Sequence, residues 1–147
     1  MRIGIDFDRV LFDTDRFNDY MKNNIEGLVH VDTSPYDEHG NYSPEIHAEL
    51  CGIPVEKVYE ALEDLERFVY DDIEKLEQLS EHDLIIVTRG RKKFQETKIQ
   101  NSGVKNFFDQ VVVVEEGDKD VKDIDFLVDD REAELVEAGL PIQWKTL

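Results

Sequence analysis

The sequence predicts an α/β fold: a doubly wound parallel sheet of five strands with a small helical insertion. Five short apolar runs, near 2–7, 84–88, 111–114, 126–128 and 142–146, alternate with helical segments, as βα units do. The stretch from residue 15 to about 70 is too long for one crossover helix and shows helical spacing but no convincing strand. Three of the apolar runs end abruptly in polar side chains: Asp6 and Asp8, then Thr88-Arg89-Gly90, then Asp129 and Asp130. If those strands are parallel neighbours, their tips converge on one site at the carboxyl end of the sheet.

Each element has its own signal. Asp13 or Asp15 starts a first helix to about Asn24, with Phe17, Tyr20 and Met21 at helical spacing. Residues 27–42, with Gly27, Pro35 and Gly40, read as an irregular loop. Ser43 followed by Pro44 is an N-cap and first-turn pair, and Gly52 closes that helix. Pro54 opens another, in which Val55, Val58, Leu62 and Leu65 form an apolar stripe, and Asp71 or Asp72 caps a third carrying Ile73, Leu76 and Leu79. Helices near 91–102 and 131–138 stop at Gly103 and Gly139. The core is thus expected at 1–14 and 71–147, with 15–70 as the insertion.

At 147 residues the chain is expected to form a single domain burying about 68–70% of its unfolded surface. No apolar run approaches the roughly 18 residues that cross a bilayer, and no signal peptide is evident. The single Cys51 excludes an internal disulfide and fits a cytoplasmic location; it reads as a small apolar helix residue. The net charge of −18 excludes nucleic acid as a natural partner. Much of it is local, with 11 acidic and 3 basic residues between Glu56 and Asp83, the composition of a solvated helical face. An anionic substrate needs local cations against that background. Arg9, Arg89, Arg91, Lys92, Lys93 and Lys119 stand in or near the polar tips.

Residues two apart in a strand share a side, so Asp6 and Asp8 are expected around one small volume. Like charges at close range are costly, and a divalent cation with oxygen ligands offsets the repulsion. Asp129 and Asp130 repeat the arrangement. The bland counterparts are a solvated turn for the first pair, a helix N-cap for the second, and a strand end at Thr88. The histidines His30, His39, His47 and His82 have no ligand-like spacing.

In this order, the motifs resemble the haloacid dehalogenase superfamily, whose members are mostly phosphatases. Its first motif, an apolar strand and Asp-x-Asp-x-(Thr/Val), is matched by Asp6, Asp8 and Val10; its second by Thr88; its fourth by Asp129 and Asp130. The resemblance spans residues 2 to about 140. Arg9 departs from it, since many relatives have glycine there. The resemblance implies a Mg²⁺-dependent phosphatase acting on a small phosphorylated metabolite of the nucleotide or sugar phosphate class. Asp6 would be the nucleophile, forming an aspartyl-phosphate, and Asp8, protonated, the general acid and then base. Asp6, the backbone carbonyl of Asp8, Asp129 and Asp130 would bind the metal. Thr88, Arg9, Arg89 and Gly90 would contact substrate, and 15–70 would be the cap that selects it.

The family's third motif is a lysine ahead of the fourth strand. Lys98 and Lys105 read as solvated, Lys119 is preferred, and Lys122 competes with it. Alternatives are a phosphomutase or dehalogenase on the same fold, or a non-catalytic metal-binding regulatory module. A dehalogenase has no use for an acid at Asp8. A two-component receiver is disfavoured, because its acceptor Asp ends a middle strand, where this chain has Thr88 and Val114-Glu115.

Overall fold

The computed structural model describes residues 1–29, 31, 35–117, 119 and 124–131. Among the described residues four parallel strands form one sheet: β1 (Arg2–Ile5), β2 (Asp83–Arg89), β3 (Gln110–Val114) and β4 (Phe126–Val128), in the order β3-β2-β1-β4. The expected strand at 142–146 and helix at 131–138 lie outside the described residues. In register, Ile5 faces Ile86 on one side and Val128 on the other. The polar tips of β2, β1 and β4 therefore stand side by side, at the point where the chain order reverses.

The helices follow their local signals, with two corrections. Helix α1 (Thr14–Asn24) starts at Asp13, whose carboxylate accepts from the Arg16 amide. Helix α2 (Pro44–Cys51) starts at Ser43, whose hydroxyl accepts from the Ile46 amide, and ends at Gly52. Helix α3 (Val55–Glu60) is shorter than its apolar stripe: Leu62 and Leu65 are fully buried but lie beyond its end. The segment expected to be capped by Asp71 or Asp72 is a 3₁₀ helix over Asp71–Leu79 with Tyr70 at the cap position. Its acids lie instead in the first turn, where they meet the positive end of the helix. Helix α4 (Lys92–Ser102) runs from β2 to Gly103.

A cluster of phenyl rings fills the space beneath the tip of β1. Phe7 stacks on Phe12 at 4.7 Å between centroids, and Phe12 touches Phe17 and Phe68 at 5.3 and 5.9 Å. Phe17 in turn reaches Phe94 of α4. Aromatic pairs at these separations add to simple area burial, and they tie α1 and α4 to the β1 tip. No described helix is long and apolar enough to cross a membrane.

Candidate active site

The chain leaves β1 at Ile5 but stays in register for one more residue, because the Asp6 amide donates to the Val128 carbonyl at 2.8 Å. Beyond it the backbone folds into a tight turn in which the amides of Leu11 and Phe12 donate to the Phe7 carbonyl. Arg9 takes the left-handed conformation there, with φ 63°. Side chains pay a steric cost in that conformation and glycine does not.

Asp6 faces β4. Its carboxylate lies 3.0 Å from Lys119 Nζ, which also donates to Asp129 at 2.5 Å. Asp6, Lys119 and Asp129 are all buried. Asp6 Oδ1 accepts from the Phe7 amide, and Asp129 Oδ1 from the Arg131 amide. Carboxylate oxygens of Asp6, Asp129 and Asp130 lie within 4.8 Å of one another. Burial pushes the Asp6 pKa well above the usual carboxylate range, and the charges of Asp129 and Asp8 add to this against the opposing pull of Lys119. Burial and Asp129 also raise Asp130. Burial opposes the charge on Lys119, but Asp6 and Asp129 outweigh it and raise its pKa.

Two buried carboxylates sharing one ammonium, with the half-buried Asp130 beside them, leave surplus negative charge in a largely buried place. Protonation of Asp6 relieves it, and so does a hard cation with oxygen ligands. The donor set is that of Mg²⁺, and Asp6, Asp129 and Asp130 are the side chains that fit it.

Asp8 is not among the carboxylates that lie within 4.8 Å of one another, though its charge acts on Asp6, and its own partners are different. Oδ1 accepts from Lys98 Nζ at 3.0 Å and from Thr14 Oγ1 at 2.8 Å; Oδ2 accepts from Gln95 Nε2 at 2.8 Å. Burial pushes Asp8 up, but Lys98, Gln95 and Thr14 outweigh it and hold Asp8 below the usual carboxylate range. The resting carboxylate is therefore ionised, opposite to the protonated state expected for a waiting acid.

Lys98 is the second correction to the site. It is buried, not solvated. Thr14 and Gln95 are further site residues that sequence reasoning passed over. The usable signal was spacing: Phe94, Gln95, Lys98, Ile99 and Ser102 are the buried residues of α4, and three polar side chains among them stand at positions spaced for a core.

The remaining predicted residues fall on both sides of this network. Thr88 is fully buried and its hydroxyl accepts from Gln95 Nε2 at 2.7 Å. Gly90 has φ 152°, and a Cβ there would lie 2.7 Å from Gln95 Cγ, so glycine makes room for the residue that holds Asp8 and Thr88. Arg9 is half-exposed and pairs with Asp15 at 3.1 Å. Lys105 is exposed, and Lys122 lies outside the described residues.

A cavity of about 710 Å³ opens beside Asp8, within the roughly 300–1,000 Å³ typical of small-molecule sites. Among the described residues its walls include Arg9, Lys22, Arg89, Arg91, Lys98 and Arg131 and one acid, Asp8, in a chain with 35 acidic and 17 basic residues. Tyr36, Tyr42, Phe94 and Met21 add apolar wall. His47, half-buried on α2, also lines it, hydrogen-bonded to Tyr42 and to the Val29 carbonyl.

No protein-family model matches the chain, and no curated protein does. Its fold does match solved structures. A Burkholderia xenovorans LB400 protein provisionally named a haloacid dehalogenase-like hydrolase is similar at TM-score 0.70 and 16% identity, over 93% of this chain and 77% of its own. A Bacillus subtilis protein provisionally named a HAD-hydrolase, bound to magnesium, is similar at TM-score 0.52 and 15% identity over 76% of this chain. An L-2-haloacid dehalogenase from Xanthobacter autotrophicus, with chloropropionic acid covalently bound, is similar at TM-score 0.50 and 17% identity over 77% of this chain. The chain spans 64% of the length of the Bacillus protein and 56% of the Xanthobacter enzyme.

Proposed function

We propose that this protein, whose fold is that of the haloacid dehalogenase-like hydrolases, is a Mg²⁺-dependent phosphatase of small phosphorylated metabolites. One observation carries the reading: the Asp6–Asp129–Asp130 cluster, two of its members buried, with Lys119 as its ammonium, at the carboxyl ends of adjacent strands. The inverted charge of the cavity wall supports an anionic ligand.

Asp6, Asp129 and Asp130, with the backbone carbonyl of Asp8, would hold the metal. When bound, Mg²⁺ neutralises phosphoryl charge and so lowers the repulsion a carboxylate nucleophile meets. An Asp6 oxygen would form a bond to phosphorus as the bond to the leaving oxygen breaks. The resulting aspartyl-phosphate divides one hard hydrolysis into two easier steps. Asp8 stands ionised, ready to take a proton from the water that attacks this intermediate and releases phosphate. To give a proton to the leaving oxygen it must first take one up. Lys119 would neutralise charge between Asp6 and the transferring group. Thr88, Arg9, Arg89 and Gly90 would receive the phosphate side of the substrate. Residues 15–70 would form the cap, with Met21, Tyr36 and Tyr42 facing the remainder of the substrate. A dehalogenase reading gives Asp8 no task, since a departing halide takes no proton.

The test is a screen of nucleotide and sugar phosphates with Mg²⁺, run beside Asp6→Asn. Phosphate release that needs Mg²⁺ and vanishes in the variant is expected. Full activity in excess chelator, or in Asp6→Asn, would falsify the mechanism.

A further inference from the structure

Lys98 occupies a place that ordinary packing does not explain. Its side chain is 4% exposed, and its Nζ stands 4.5 Å from the centroid of Phe94 and 5.7, 5.9 and 5.7 Å from those of Phe7, Phe12 and Phe17. An ammonium in such a box has given up its hydration, and a buried ion pair of this kind often adds nothing to stability over apolar side chains of similar volume at both positions. Methionine has nearly the same length and would suit four phenyl rings. The ion-pair partner is Asp8, and the pairing is directional. Lys98 and Thr14 hold one oxygen and Gln95 holds the other, so the carboxylate is fixed at both ends. Gln95 and Lys98 are three residues apart on α4 and share a face. That helix begins just past the β2 tip carrying Thr88, which links the orientation of Asp8 to the strand end beside it.

We propose that Lys98 is a positioning residue: from within its aromatic box it orients the Asp8 carboxylate toward the leaving oxygen. This rests on the phosphatase reading. Asp8 serves proton transfer at the leaving oxygen, so loss of its orientation weighs most on substrates that need that proton. An alkyl phosphate needs it; an activated aryl phosphate departs with little help.

The experiment compares Lys98→Met, Asp8→Asn and the double variant with wild type, with Mg²⁺, on an alkyl phosphate found in the screen and on an activated aryl phosphate. A misplaced catalytic group costs about 10²-fold, and a kcat loss of that order is expected for Lys98→Met on the alkyl ester. The loss is expected to fall on kcat more than on KM, because Lys98 Nζ is engaged by Asp8, and to be much smaller on the aryl ester. The melting temperature is expected to fall, because the Asp8 carboxylate is left without its partner, and to recover toward that of wild type in the double variant. In the Asp8→Asn background, Lys98→Met should cost nothing further. Lys98→Gln, which keeps a donor, should recover part of the loss. Equal losses on the two esters, or a full further loss in the Asp8→Asn background, would show that Lys98 acts on the phosphate itself and overturn the proposal. Loss of the fold in both Lys98 variants would make the residue structural and overturn it too. A wild-type protein that hydrolyses neither ester overturns the phosphatase reading together with this one. An active wild type with an equally active Lys98→Met overturns this one alone.

Discussion

Asp6 and Asp8 are the same residue type, two positions apart and both shielded by the same turn, yet their surroundings drive them in opposite directions. Asp6 meets two further carboxylates across one ammonium, and its burial and those charges push its pKa well up. Asp8 meets an ammonium, an amide and a hydroxyl, which overcome its burial and hold its pKa down. The first environment holds one ammonium near three carboxylates, and the second pairs one carboxylate with one ammonium. Protonation or a bound cation would offset the surplus beside Asp6. Two carboxylates with environments that separate their pKa values are the usual sign of divided roles.

The largest expected effect comes from removing the first carboxylate. Asp6→Asn should abolish turnover, yet without divalent ions at neutral pH it should be more stable than wild type. Asp6 has a raised folded pKa, so its contribution is fully present below the unfolded pKa of about 3.9 and is lost as pH rises through the folded value. The asparagine avoids that loss, so thermal unfolding should show the gap widening as pH rises and closing when Mg²⁺ is added. Asp8→Asn should do the reverse. A depressed pKa contributes stability above about pH 3.9 that is lost as pH falls through the folded value, so this variant should be weaker at neutral pH and approach wild type in acid. The same trend in both variants would break the comparison.

Lys119→Ala comes next. Removing one partner of a buried pair costs about 3–5 kcal/mol, and turnover should fall by orders of magnitude. Because Asp6 and Asp129 then lack their ammonium, Mg²⁺ should raise the melting temperature of this variant more than that of wild type. Gly90→Ala attacks the other side. The new Cβ would meet Gln95 Cγ at 2.7 Å, and backbone strain of this kind costs about 1–3 kcal/mol. Displacing Gln95 should slow poor leaving groups more than good ones, a split that steady-state kinetics would detect. Arg9→Gly is the mildest change. It relieves the left-handed turn for a gain of up to about 1 kcal/mol by denaturant unfolding, while KM rises because a cation leaves the cavity wall.

The sequence carried the sheet and the acidic tips because both rest on short-range pattern: apolar runs with period-two or fully buried character, each broken by charge. It also pointed to Lys119, through its position in the loop before β4. It did not carry the Asp8 network. Lys98 and Gln95 lie 90 and 87 residues from Asp8, and their contact depends on how α4 docks against the rings of Phe7, Phe12 and Phe17. On a helix with polar residues on every side, a buried lysine is indistinguishable from a solvated one until its neighbours are known.

The central claim is that Asp6 takes the phosphoryl group while Asp8 manages protons. Its most direct test is rapid quenching of the protein with an activated aryl phosphate and Mg²⁺, then locating any acyl phosphate by borohydride reduction and peptide mass spectrometry. The account predicts an adduct on the Asp6 peptide that is absent in Asp6→Asn and builds up in Asp8→Asn, where the attacking water keeps its proton. Steady turnover with no adduct in Asp8→Asn, or an adduct on Asp8, would contradict it.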